Sequence, residues 1–372
     1  MNNIDISVVF ILKSELELLP PIYTQILATK ENIKGAVTVI CYSCTNYLRD
    51  YLSKRNINVI TISTNSNKAN IALNSKIVKW IRCFYKIRLI LRRIEYKYYI
   101  WVGSADTAIC VLPELKKYKY VISIHELYDH NKFYKFMLKY ITRNAEAVVV
   151  PEYNRAKIIK SWWGLSKTPY VFPNKPLPIK VERALMDDKF FKFSKREKYI
   201  LYQGWISPDR DLKAIALALR KMNSDFILLL MGKEKGSSVE KIIDIYPKTK
   251  YLGYIAAPEH LLYTKIAYIG IAMYDDKSLN RVYCAPNKIY EYSMYGIPMI
   301  CSDSPGLKYT VEASKSGICV DMTDIDGIVD AINEIDKNYS EYSNAAKSFY
   351  SRFDILGNNY KILSNIKNSE AS

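Results

Sequence analysis

The chain has 372 residues, 49% of them hydrophobic and 24% charged. It is too long for one ordinary core and too apolar for wholesale disorder, and it suits two domains of similar size. Its net charge of +17 points to partners that carry phosphate: nucleic acid, anionic lipid or a pyrophosphate-bearing substrate.

The first twenty residues carry no basic leader, and acidic residues interrupt their apolar run. They read as a first strand, not a signal peptide. Apolar runs such as 226–231 fall far short of the ~20 residues of a membrane span, so a cytoplasmic chain is expected. In the first half, residues 6–12, 36–42, 57–63, 98–103, 120–125 and 146–151 are β-branched and almost continuously apolar. Strands buried on both faces have that composition. Helix-like segments separate them.

One of these segments, residues 76–97, holds eight Lys or Arg and one Glu. At helical spacing, Ile77, Trp80, Ile81, Phe84, Ile87, Leu91 and Ile94 share one face, while Lys79, Arg82, Lys86, Arg93 and Lys97 gather opposite. Such a helix either packs on a core with a solvated face or rests on an anionic membrane. The charge excess is local. Residues 1–190 hold 30 Lys and Arg against 15 Asp and Glu, and residues 191–372 hold 24 against 22.

A Pro-rich, then charged stretch at 173–198 reads as the boundary. The second half repeats the alternation, with strands expected at 199–204, 226–232, 249–254, 268–274, 297–302 and 317–321. Residues 340–363 read as a helical tail broken at Gly357. Alternation of this kind means parallel sheets with helices on both faces, and two such sheets leave a cleft between them. The expected division is an N-terminal domain over 1–178, a linker over 179–197, a C-terminal domain over 198–340, and a tail over 341–372 packing across both.

Seven cysteines, an odd number, mostly in strand-like stretches, read as buried thiols. Cys41 and Cys44 form a lone CxxC, and with only His125, His130 and His260 in the chain no metal site is expected. Asp209-Arg210-Asp211 has the form of a DxD metal motif. It sits between a Pro turn and a helix start, where aspartate is a good cap.

The most informative segment is 280–312. A loop leads into a helix at 288–295, Gly296 stops it, and a strand follows. The helix N-terminus presents free N–H groups that favour phosphate. Lys288 adds a positive charge there, and Glu291 lies three residues on, on the same face. A carboxylate so placed can accept both hydroxyls of a ribose. Two readings stay open on residues alone: a nucleoside-diphosphate site, or an amphipathic helix with an ion pair.

Residues Pro286, Asn287, Lys288, Glu291 and Tyr292 form a Pro-Asn-Lys-x-x-Glu-Tyr motif. In it the chain resembles the bacterial group 1 (family 4) glycosyltransferases of GT-B architecture. Segments 121–129, 146–159, 171–176, 201–212, 228–232 and 251–255 follow in matching order. The resemblance covers most of 95–325. It implies an α/β fold of two Rossmann-like domains whose parallel sheets face a cleft. It also implies a retaining transfer from a UDP- or GDP-type nucleotide sugar, with no metal or other cofactor.

By the same resemblance His125, Arg210 and Lys288 are the expected catalytic groups. Glu291, Asn287, Pro286, Tyr283, Tyr254, Ile255 and Gly204 would bind the donor, and Glu126 would contact acceptor or sugar. The basic N-terminal half would receive a glycan or polyprenyl-diphosphate-linked acceptor at the inner face of the cell membrane, in capsule or O-antigen assembly. Several positions depart from the family. Its first glutamate falls on Tyr283 and its donor-domain arginine on Trp205. Cys284-Ala285-Pro286 replaces a glycine-rich loop, and Pro286 cannot donate an N–H. The rival readings are a sugar-nucleotide epimerase of the same fold, a nucleic-acid-binding protein, and a binding protein that has lost catalysis. Against nucleic acid, the charge is not organised with stacking aromatics into a known module.

Overall fold

The computed structural model describes residues 3–63, 76–177, 193, 197–208 and 212–368. Two parallel sheets form where the apolar runs lie. The first contains β1 (Val8–Ile11), β2 (Val37–Cys41), β3 (Ile57–Thr61), β4 (Tyr99–Val102), β5 (Tyr120–Ser123), β6 (Ala147–Val150) and β7 (Tyr170–Val171). Its strand order is β3-β2-β1-β4-β5-β6-β7. Strands β1, β4, β5 and β6 are buried at every position, because helices cover both faces. The two-residue β7 is not among the expected strands.

The second sheet contains β8 (Tyr199–Gln203), β9 (Ile227–Met231), β10 (Thr249–Tyr251), β11 (Ile269–Ala272), β12 (Met299–Ser302) and β13 (Gly317–Val320). Its order is β10-β9-β8-β11-β12-β13. In each sheet the chain winds outward one way, then returns to wind the other way. The switch falls between β1 and β4 in the first sheet and between β8 and β11 in the second. Crevices for ligands open at such points, outside the carboxyl ends of the strands.

The chain divides into two compact units, Met1–Pro173 with Asp354–Ser372, and Asn174–Phe353. The helix Tyr339–Ser351 belongs to the second unit, where Phe349 stacks on Tyr290 with ring centroids 5.4 Å apart. The helix Ile355–Asn368 returns to the first unit and packs on Pro20–Asn32. Buried amides hold it there. Asn32 Nδ2 donates to Asn359 Oδ1 at 3.0 Å, and Asn359 Nδ2 donates to Thr29 Oγ1 at 3.0 Å.

Three local expectations change. The tail breaks at Arg352–Asp354, not at Gly357, which lies inside the last helix while its N–H takes a cap from Asp354 Oδ1 at 2.9 Å. The basic helix spans Lys76–Leu91, so Arg93 and Lys97 lie beyond it. Its buried face holds Cys83, Ile87 and Leu91, whereas Ile81, expected on the apolar stripe, is exposed. Lys86, expected to point outward, donates to the Ile62 carbonyl at 2.7 Å, and Arg82 is exposed. No described helix is long and apolar enough to cross a membrane.

Candidate functional site

The helix Asn287–Met294 starts immediately after Pro286, whose extended backbone (φ −73°, ψ 142°) sets its entry. Tyr292 anchors it to the second sheet. Its ring is wholly buried, and its hydroxyl donates to the Leu201 carbonyl of β8 at 2.9 Å. Gly270 of β11 makes room, since a Cβ there would stand 2.5 Å from the Tyr292 ring. The helix is thereby pinned across β8 and β11, at the switch of the sheet. Gly296, with φ +67°, ends this segment as expected.

Lys288 and Glu291 are then placed by geometry. Lys288 is 6% exposed, and its Nζ lies 4.3 Å from the Tyr202 ring centroid and 5.8 Å from that of Tyr274. A cation held against two aromatic faces keeps a fixed position at the helix N-terminus. Glu291 is 5% exposed. Gln203 Nε2, at the end of β8, donates to its Oε2, and His260 Nε2 lies 3.2 Å from its Oε1. Gln203 is itself oriented by Thr264, whose hydroxyl donates to its Oε1 at 2.8 Å. The carboxylate is therefore clamped at both oxygens. Sequence reasoning does not find Gln203, Thr264 and His260. The available signals are a polar residue closing the β8 run and one of only three histidines.

The loop before the helix is also held. Asn174 Nδ2 donates to the Ala285 carbonyl at 2.8 Å. A Cβ on Gly306 would come within 2.8 Å of the Cys284 backbone, so that turn packs closely beneath the loop. Tyr283 caps the short helix Leu279–Val282 through its N–H. Gly204 follows β8 with its N–H on the Met231 carbonyl at 2.9 Å. Gly232 packs so closely that a Cβ would stand 1.7 Å from the Gly204 oxygen. Past β10, Tyr254 is exposed, with Lys233 Nζ 4.6 Å from its ring centroid and 6.0 Å from that of exposed Trp205. Ile255 is partly buried against the core cluster that holds Tyr292. Helix N–H groups, a fixed ammonium and a clamped carboxylate can bind a diphosphate beside a vicinal diol. Asp209, Arg210 and Asp211 lie outside the described residues.

In the first unit, His125 lies just past β5, and both ring nitrogens are shielded from solvent. Burial, and then the neighbouring Arg155 guanidinium, hold its pKa down to about 4. Its imidazole is thus neutral at physiological pH, able to hydrogen-bond but not to carry charge. Arg155 Nη1 donates to the His125 carbonyl. Glu126 is exposed. Burial pushes the thiols of Cys41 and Cys44 up to about 12, which leaves both protonated. Among the described residues no three His, Cys, Asp or Glu side chains group as metal ligands. A cavity of about 790 Å³ in the second unit opens at the carboxyl ends of β11, β12 and β13, beside Lys213, Tyr274, Asp303 and Asp321. Neither Lys288 nor Glu291 lines it.

Residues 186–352 match the family described as "Glycosyl transferases group 1". No curated protein matches the chain in sequence. Among solved structures the chain is similar to Anabaena HepE in complex with UDP and glucose, with a TM-score of 0.72, 12% identity, and 98% of this chain and 100% of that chain covered. It is also similar to sucrose-phosphate synthase from Thermosynechococcus elongatus (TM-score 0.69, 13% identity, 98% and 99% covered). A third is a glycosyltransferase from Rickettsia africae (TM-score 0.66, 14% identity, 98% of each chain covered). The fold is that of the GT-B glycosyltransferases.

Proposed function

We propose that the chain is a group 1 glycosyltransferase that moves a sugar from a nucleoside-diphosphate sugar to a glycan acceptor. The observation that carries this reading is the clamped Glu291 beside the fixed Lys288 at a helix N-terminus over the β8–β11 switch. The family match covers the same residues, and the HepE complex with UDP and glucose supports a UDP-type donor. Within the group, the Pro286–Tyr292 motif supports a place in family 4 and in the Pro-Asn-Lys-x-x-Glu-Tyr subgroup.

In this reading Glu291 accepts the ribose hydroxyls, and Tyr254, Ile255 and Gly204 line the nucleoside end. As the anomeric C–O bond breaks, negative charge builds on the departing diphosphate. Lys288, the N–H groups of the helix and Arg210 stabilise it without a metal. Asn287, Pro286 and Tyr283 shape the diphosphate loop. Neutral His125 hydrogen-bonds the donor sugar, Glu126 meets the acceptor, and the sugar is transferred with retention. The acceptor is a polyprenyl-diphosphate-linked glycan, and the product enters a surface polysaccharide such as capsule or O-antigen. The first unit meets the inner face of the cell membrane through basic side chains on and beyond the Lys76–Leu91 helix, among them Lys79, Arg82, Arg93 and Lys97.

The test is calorimetry with free UDP and GDP. Glu291→Ala should weaken binding by on the order of tenfold or more, because a charge-assisted hydrogen bond is lost. His260→Ala should weaken it less, because Gln203 still holds the carboxylate. Unchanged affinity in Glu291→Ala would remove the ribose assignment. Product analysis with labelled nucleotide sugars then identifies the transfer itself.

A further inference from the structure

Among the described residues of the first unit, the helix Lys132–Arg143 turns an apolar face to solvent. Leu138, Ile141 and Thr142 are buried, so the opposite side faces out. On that side stand Phe133, Phe136 and Tyr140, and Phe136 is 73% exposed, more than any other large hydrophobic among the described residues. At 100° per residue these three lie within about 60° of arc. Lys132, Lys139 and Arg143 are exposed along one flank of that arc, and the helix has no acidic residue. On the neighbouring turn, Lys116 Nζ lies 5.9 Å from the Tyr140 ring centroid.

Residues 114–117 join this helix to a second one. The buried carboxylate of Glu114 pairs with Lys117 at 3.1 Å and with Arg88 of Lys76–Leu91 at 3.2 Å. That second helix exposes Ile81, Tyr85 and Leu89, spaced by four. Neither helix carries an acidic residue. A second copy of the chain placed face to face here would oppose like charges. An anionic bilayer complements both features: aromatic rings settle at the boundary of headgroups and acyl chains, and lysine stems reach back to phosphate.

We propose that Phe133, Phe136 and Tyr140 insert into the interface of an anionic bilayer while Lys132, Lys139 and Arg143 hold its headgroup phosphates. The inference rests on the membrane part of the proposed function and assigns it to a different element, one with an apolar anchor. It does not depend on the transfer reaction.

The experiment is co-sedimentation of the full chain with phosphatidylcholine vesicles, with and without phosphatidylglycerol, at low and high salt. The wild type should bind only the anionic vesicles and keep part of its binding at high salt. Phe136→Ser should weaken binding about tenfold or more, as expected for an aromatic ring withdrawn from an apolar phase. Lys132→Gln with Lys139→Gln should remove mainly the salt-sensitive part. Since all three positions are exposed, unfolding midpoint and nucleotide affinity should stay at wild-type values.

Binding kept by Phe136→Ser but lost by Arg82→Gln with Tyr85→Ser would overturn the inference and leave the membrane reading to the Lys76–Leu91 helix. Absence of binding to either vesicle would overturn both. Concentration-dependent self-association that disappears in Phe136→Ser, with no vesicle binding, would make the face a contact between copies. Transfer to a water-soluble acceptor, measured alongside, reports on the enzyme reading independently of these outcomes.

Discussion

At the scale of single residues, the Pro286–Tyr292 motif divides its work. Tyr292 is structural: its buried hydroxyl ties the helix to β8, and Gly270 at its position admits the ring. Lys288 and Glu291 project from the same first turns and are held by groups far away in sequence. The local spacing of Lys288 and Glu291 is legible because three residues make nearly one helical turn. Gln203 and His260 are not, because nothing local links them to Glu291 across 88 and 31 residues. His125 carries a pH prediction. Its folded pKa, about 4, lies below the ordinary 6.5. The unfolded chain therefore takes up a proton that the fold refuses. The stability is fully present above about pH 6.5 and falls as the pH drops toward 4. Between pH 7 and 5 the loss is about 2 kcal/mol, because each pH unit over which only the unfolded chain holds the proton costs about 1.36 kcal/mol. Urea unfolding of wild type and His125→Asn at both pH values checks this. A wild type that loses no more stability than the variant would mean the ring is solvated.

At the scale of elements, the return of the last helix to the first unit depends on the Asn32–Asn359–Thr29 cluster. Asn359→Ala leaves Asn32 with one acceptor fewer and Thr29 with one donor fewer in a buried place. A loss of about 1–3 kcal/mol in unfolding free energy is expected. Asn359→Asp should cost more, because it buries a charge there. Denaturant unfolding measures both. Sequence places the tail break wrongly at Gly357 because glycine alone signals a stop. The capping carboxylate of Asp354 turns the same glycine into the first turn of a helix. The basic helix departs from expectation for a related reason. Periodicity ranks faces by composition, but burial is decided by what packs against them. Thus Ile81 stays outside while Lys86 finds a carbonyl. The apolar face of Lys132–Arg143 is hidden in the sequence, since Phe133, Phe136 and Tyr140 at helical spacing look like core.

At the scale of the whole molecule, two parallel sheets carry the reading of function. His125 follows β5 in one unit, and in the other Lys288 stands on the helix that follows β11, beside the switch of the second sheet. The proposed chemistry needs only fixed cations and helix dipoles. Transfer activity is therefore expected to survive EDTA, with Arg210 taking the role a metal has elsewhere. A complete loss restored by Mg²⁺ or Mn²⁺ would return Asp209 and Asp211 to the site. Initial rates with and without chelator make the comparison.

The sequence by itself determined the sheets and the helix that carries the Pro286–Tyr292 motif. Runs of β-branched residues cannot be satisfied except as buried strands, and Pro, Asn and Gly punctuate their ends locally. The expectation of two parallel sheets with helices on both faces follows from that alternation, and the sheets form where the runs lie. Only the tertiary structure decided which polar groups meet and which apolar face stays uncovered. The clamp on Glu291 closes between β8, the helix His260–Thr264 and the helix Asn287–Met294. Hydrogen bonds act within about 3 Å, a distance that chain order does not encode for residues joined only through the packing of a sheet.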